Sequence, residues 1–260
     1  MGRAKFTRRL RLSLAEEDFG MTRQPRPDQQ EYDLIEQSAT RQAIAQRVGE
    51  SFATKPHFST TVLLDASALV ELRTELKRQG LDPLPTYNDF IIKACAEVLK
   101  SHRLLNAWLD GEGLKVLRRI NIAFAAATDQ GVLLPVVLDA DVKPLPQIAA
   151  ETKNLVELAR AGKLRASLQM GAGFTVSNIG PGRVEWFTAI ISPPQVAILS
   201  VGAMAERPVV VDGQVVVRPT VYFTLTVDHK AVDGAHAAAF LKDLVALLED
   251  PTALRRACGL

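Results

Sequence analysis

Cysteine is nearly absent: Cys95 and Cys258 are the two in 260 residues. Two are too few for a disulfide framework or a cysteine-rich zinc site, and the chain suits a reducing cytoplasm. No apolar run approaches the roughly 18 residues that a membrane span needs. Charge of one sign is not in excess either, since the formal net charge is +2. That gives no basis for nucleic-acid binding or attraction to an anionic membrane. The first twenty residues hold no apolar core of a secretory signal, and Glu16, Glu17 and Asp18 argue against a mitochondrial presequence. Phe6 breaks a myristoylation motif, and Cys258 is misplaced for prenylation. Internal repeats and low-complexity tracts beyond the N-terminal arm are also missing.

What is present is a large apolar fraction, 47% of the residues, enough to bury one substantial core. Residues 1–33, with Pro25, Pro27 and clustered Arg and Gln, read as a mobile arm, and residues 34–260 as one folded domain. From Ser38 the periodicity is helical, with Ala39, Ile44, Val48 and Phe52 on one face. Lys55-Pro56 stops that helix, and HFSTTVLLD reads as a strand. A second helix, residues 66–79, carries Leu69, Leu72 and Leu76 on one stripe and ends at Gly80. Thr86 or Asn88 then caps a third, largely buried helix. INIAFAAAT and GVLLPVVL read as two strands, and residues 144–162 as a helix. Strands dominate later: GFTVSNIG, QVAILSVGA, the RPVVVDGQVVV hairpin and TVYFTLTV. A final helix runs from about Asp233 to Glu249, where Asp250-Pro251 ends it. Helices alternating with strands, then strands clustering, give a mixed sheet backed by helices.

Two stretches carry chemistry. TVDHKAVDGA delivers His229 at a strand end, followed by a turn and a helix. Imidazole takes and returns a proton near neutral pH, and an acidic neighbour can hold its tautomer. GAGFTVSNIG ends a strand at Ser177-Asn178 and breaks at Gly180, which presents a hydroxyl where a ligand can approach. Taken singly, each is equally a turn histidine with an Asp cap and ordinary Ser-Asn turn chemistry.

Together with RQAIAQRVGESFATKPHF, NDFIIKA and FTAIISPPQVAILSVG, their order and spacing resemble the dihydrolipoamide acyltransferases. These are the catalytic cores of 2-oxoacid dehydrogenase complexes, similar in fold to chloramphenicol acetyltransferase. The resemblance covers about residues 34–260. It implies an α/β fold, a two-layer sandwich of a mixed sheet packed with helices. It implies an enzyme that moves an acyl group between dihydrolipoamide and coenzyme A. His229 would be the general base on the attacking thiol, and Ser177 the hydrogen-bond donor to the tetrahedral oxyanion. Asp233 would organise the site through an ion pair with Arg41 or Arg47. Coenzyme A, a substrate, would meet Arg73, Thr86 and Gly202. No metal is implied. Met170, Trp186 and Phe187 are candidates for an acyl pocket, with core packing the simpler expectation.

The implied assembly is a homotrimer with the site between subunits, served by a lipoyl-bearing protein and associated with dehydrogenase-complex subunits. Three departures modify this. Lys230 stands where the family usually has Arg, which loses the planar fork. No lipoyl or peripheral-subunit-binding domain is found, so the lipoyl group is expected in trans. The C-terminal TALRRACGL is more polar than the tails that join trimers into larger cages, so a trimer is the expected state. The acyl group stays open: SNIG is similar to branched-chain enzymes, while Ala127 fits acetyl and succinyl types. A non-catalytic trimeric scaffold and transfer to a different acceptor are the alternatives.

Overall fold

The computed structural model describes residues 33–129, 131–180 and 182–260. All but the last residue of the N-terminal arm lies outside them. The first helix, α1 (Ala39–Thr54), begins where the Ser38 hydroxyl accepts the Arg41 N–H, and ends with the Lys55 N–H on the Ser51 carbonyl. Strand β1 (His57–Asp65) follows, then α2 (Ser67–Arg78) with Leu69, Leu72 and Leu76 buried as their spacing predicts. Gly80 takes the left-handed conformation that stops it, at φ 73°. Thr86, not Asn88, caps α3 (Tyr87–Leu99), through a reciprocal capping box with Asp89. Almost the whole circumference of α3 is buried, and α2, α4, α5 and α6, defined below, pack around it.

Strands β2 (Ala107–Asp110) and β3 (Gly113–Val116) form a separate antiparallel hairpin that the residue pattern does not announce. The runs INIAFAAAT and GVLLPVVL each break in two. They give β4 (Ile122–Phe124), β5 (Ala126–Thr128), β6 (Gly131–Leu133) and β7 (Val136–Val137). The breaks fall at Ala125, whose N–H turns to the Val176 carbonyl, and at Pro135, which has no N–H for a ladder. As a result β4 and β7 join the main sheet, while β5 and β6 pair only with each other.

Next come α4 (Leu145–Arg160), β8 (Phe174–Asn178), β9 (Ala197–Val201), β10 (Ala205–Val211) and β11 (Gln214–Asp228). Asp212 and Gly213 both have positive φ, which makes the β10–β11 turn the tight one that Asp-Gly predicts. β11 runs unbroken for 15 residues through Pro219, merging two runs that read as separate strands. The last elements are α5 (Gly234–Glu249) and α6 (Pro251–Cys258). Asp250-Pro251 therefore ends one helix and starts another: the Asp250 carboxylate accepts the Thr252 and Ala253 N–H groups, and proline suits a first helical position.

The main sheet has the order β1-β11-β9-β8-β4-β7, with β10 alongside β11. Its β8–β9 and β4–β8 pairs are parallel and the rest antiparallel. One face carries Phe174, Val176, Leu199, Phe223, Leu225 and Val227 into the helix layer, chiefly α3 and α5. The other face is rich in hydroxyls. Ser59 bonds Thr226 at 2.8 Å, Thr61 bonds Thr224 at 2.9 Å, and Ser200 and Thr175 lie in the same rows. Residues 184–195 cross this polar face and are pinned to it. The Ala189 N–H meets the Ser200 hydroxyl, and the Gln195 amide oxygen accepts the Thr175 hydroxyl.

Candidate active site

His229 follows the last residue of β11, on backbone held from both sides. The Asp228 N–H bonds the Val196 carbonyl at 2.8 Å, and the His229 N–H bonds the Pro56 carbonyl at 2.9 Å. Asp228 is fully buried, a position that costs a carboxylate several kcal/mol unless it is paired and hydrogen-bonded. Both conditions are met: Lys55 Nζ lies 3.1 Å from Oδ2, and the Lys230 N–H donates to Oδ1. The Lys230 ammonium reaches back to the Thr54 carbonyl. The His229 imidazole itself stays exposed, with the Phe58 ring edge-on at 5.2 Å between centroids. A cleft of about 600 Å³ lies on the Lys55–Lys230 side of this turn, lined by Arg47, Glu50, Lys55, Asp110, Pro193 and Lys230 among others, and His229 is not part of its lining. Another, of about 570 Å³, is lined by residues of α3, α5 and α6 and contains none of the sequence-predicted site residues.

The neighbouring histidine serves as a brace. His57 Nε2 accepts the Ile191 N–H, so the ring is neutral with its proton on Nδ1, which donates to the Lys55 carbonyl at 2.8 Å. Ser51 completes the tie with a 2.6 Å bond to the Ile191 carbonyl. The end of α1, the start of β1 and the segment crossing the polar face are thereby fastened together.

Ser177 sits elsewhere. It pairs with Ser200 across β8–β9, and Ser200 pairs with Thr224 across β9–β11. Those two steps amount to about 10 Å across the sheet, at about 4.8 Å per strand. His229 lies five positions beyond Thr224 along β11, about 17 Å further. The two residues occupy opposite ends of one sheet, about 19 Å apart, well outside hydrogen-bond reach of a common small group.

The other sequence-predicted residues fall into two groups. Arg73 and Thr86 come together: Arg73 Nε donates to the Pro85 carbonyl at 2.9 Å, and its guanidinium lies 5.1 Å over the Tyr87 ring. Gly202 follows β9 at the Ser177 end of the sheet. A Cβ there would lie 1.7 Å from the Glu185 carbonyl oxygen, so glycine is required by the chain that crosses above it. Gly202→Ala is expected to displace that crossing segment and destabilise the fold by about 1–3 kcal/mol, readable in a denaturant titration.

Asp233 does not form the expected ion pair with Arg41 or Arg47 within the chain. It is the N-cap of α5, where its carboxylate accepts the His236 N–H and also contacts the His236 ring. The backbone bond from His236, with help from the ring, holds its carboxyl below the usual Asp range. Met170 and Trp186 are not core residues, being 67% and 59% exposed, and Phe187 is half-buried. Lys55 and Asp228 are the pair that sequence reasoning passed over. Lys55-Pro56 reads only as a helix stop, and Asp228 only as the acid beside a histidine. Neither cysteine is poised as a nucleophile, since burial raises the Cys95 thiol and pushes Cys258 up to about 12. Among the described residues no three His, Cys, Asp or Glu side chains gather as a metal site, and no helix is long and apolar enough to cross a membrane.

Known proteins match this arrangement over most of its length. The family described as 2-oxoacid dehydrogenases acyltransferase (catalytic domain) matches residues 29–255. The dihydrolipoyllysine-residue acetyltransferase component of the Bacillus subtilis pyruvate dehydrogenase complex is 37% identical over 218 residues, 82% of this chain and 49% of that protein. The Staphylococcus aureus counterpart is 36% identical over 220 residues, 83% of this chain and 51% of that protein. The chain thus spans about half the length of the curated relatives it matches. Among solved structures, dihydrolipoamide acetyltransferase of Azotobacter vinelandii superposes with a TM-score of 0.81 at 33% identity, covering 86% of this chain and 94% of that one. The cubic core of a pyruvate dehydrogenase multienzyme complex superposes with the same TM-score of 0.81 at 34% identity, again over 86% and 94%. Chloramphenicol acetyltransferase, at 14% identity and a TM-score of 0.50 over 78% of this chain and 94% of its own, shares the fold. With a mixed sheet, its helix layer and a strand-end histidine in the family's order, the chain belongs to the acyltransferase catalytic-domain family of the 2-oxoacid dehydrogenases.

Proposed function

We propose that the chain transfers an acyl group between coenzyme A and a dihydrolipoyl group carried on a lipoyl-bearing protein. The observation that carries the reading is the exposed imidazole of His229 at a strand end whose backbone is fixed by buried bonds. In the forward step His229 takes the proton of the attacking thiol, and the sulfur adds to the thioester carbonyl. The Ser177 hydroxyl donates to the resulting oxyanion, a bond worth about 3 kcal/mol of barrier. Collapse expels the second thiolate, which recovers the proton from His229. The thiol itself is the nucleophile, so no acyl-enzyme forms.

Because His229 and Ser177 lie at opposite ends of the sheet, the working site is formed between copies, His229 of one meeting Ser177 of the next. A cyclic trimer supplies that contact. Support comes from α1, whose Phe52 is 64% exposed and whose sole fully buried residue is Ser51, a face left uncovered in a single chain. Arg73 and Thr86, already adjacent, are the proposed contacts for coenzyme A. The buried free cysteines suit a reducing compartment such as the cytoplasm. The decisive measurement is thioester exchange between dihydrolipoamide and acetyl-, succinyl- or isobutyryl-coenzyme A. Turnover with one or more is expected, and none with any would leave the protein a scaffold.

A further inference from the structure

Resting on the reading of His229 as the general base, we propose that Lys55 is a positioning residue for it. Its buried ammonium fixes the turn that carries the imidazole and balances the Asp228 carboxylate beside it. The helix does not need this cation. The end of α1 is closed by the Lys55 backbone N–H on the Ser51 carbonyl, which any non-proline residue would provide. Nor is Lys55 a solvated end residue, since it is 6% exposed and its ammonium points inward to Asp228 Oδ2 at 3.1 Å.

Asp228 in turn ties the turn together. One oxygen takes the Lys230 N–H at 3.1 Å, while Lys55 satisfies the other. With the His229 N–H on Pro56 and the Lys230 ammonium on Thr54, the segment 54–57 grips the residues on both sides of the histidine. The backbone of His229 is thus fixed before its side chain is placed, and Phe58 borders the ring.

The pair also leaves no net charge on the buried residue that precedes the base. A lone carboxylate near an imidazole favours imidazolium, which cannot accept a thiol proton. Paired at 3.1 Å, the Lys55 ammonium and the Asp228 carboxylate are together neutral. The other charged and titratable groups around this turn are Arg47, Glu50, Asp110 and Lys230 along the cleft, Asp233 and His236 at the start of α5, and His57, which lies opposite Asp228 across β1–β11. Unlike these, the Lys55–Asp228 pair is buried, and buried charges are screened least by solvent and salt.

The test uses the full chain in its assembled state and follows thioester exchange across pH. The variants are Lys55→Met, Asp228→Asn, the double variant and His229→Ala. Lys55→Met is expected to raise the pKa seen in the pH dependence of kcat/KM, because the carboxylate is left unbalanced. Asp228→Asn is expected to lower it, because the ammonium is left. The double variant should return the pKa towards the wild-type value while kcat stays down at least about tenfold, with KM for coenzyme A within about twofold, because the tie to the turn is gone. If Lys55→Met does not assemble, the Asp228→Asn and double variants, which lack the buried anion, decide the matter. An unmoved pKa in the folded single variants, or wild-type kcat in the double variant, overturns the proposal. If His229→Ala remains fully active, the base assignment itself has failed. If it is inactive while Lys55→Met matches wild type in kcat and pKa, only the role of Lys55 has.

Discussion

His229→Ala is expected to lower kcat for thioester exchange by at least about 10²–10⁴-fold, the usual loss on removing a general base. The change should be nearly silent in stability. The imidazole is exposed and packs edge-on against one ring, and the bond that fixes the residue, to the Pro56 carbonyl, belongs to the backbone and survives in alanine. Loss of rate with an unchanged melting curve therefore assigns the effect to proton transfer. Ser177→Ala should cost about 10²–10³-fold in kcat with KM little changed, because its bond forms only with the oxyanion. Asp233→Asn should be mild by comparison. Asparagine caps a helix as well as aspartate does, and in this chain Asp233 contacts α5 and His236 rather than His229. Robust turnover that survives His229→Ala would refute the mechanism.

Much of this arrangement is legible in the residues, and what is not has identifiable causes. Leu69, Leu72 and Leu76 lie on one stripe because a helix repeats every 3.6 residues, and Asp212-Gly213 turns a hairpin because both positions need positive φ. Such signals are local. The splitting of INIAFAAAT is not, because it depends on Ala125 finding the Val176 carbonyl about fifty residues away, whereas GVLLPVVL breaks at its own Pro135. β11 likewise continues through Pro219 because proline's carbonyl still accepts, here from the Ala66 N–H, although it cannot donate. At the site, the histidine and serine are marked by strand ends and glycines, whereas the Lys55–Asp228 pair spans 173 positions in sequence. Spacing says nothing about such a contact. Asp233 shows the reverse case: an acid at a helix start is a strong local signal, and its carboxylate is taken up by the His236 N–H of its own helix rather than by a distant arginine.

Co-assembly of two inactive variants gives the second large effect. In a cyclic trimer each contact is heterologous, so one surface of a copy meets a different surface of the next. If a site takes its histidine from one copy and its serine from the neighbour, His229→Ala chains still offer an intact Ser177. Ser177→Ala chains likewise still offer an intact His229. With equal amounts co-expressed and assembling at random, about a quarter of the sites pair an intact His229 with an intact Ser177. Activity should therefore return to about a quarter of wild type, against parents reduced by about 10²-fold or more. The sheet register makes the test sharp. The two residues are about 19 Å apart within a chain, so rearranging side chains cannot bring them to one thioester. Mixed assemblies no more active than the average of the two parents would place the whole site within a single chain. The register-based separation would then have to be abandoned as a guide to the site.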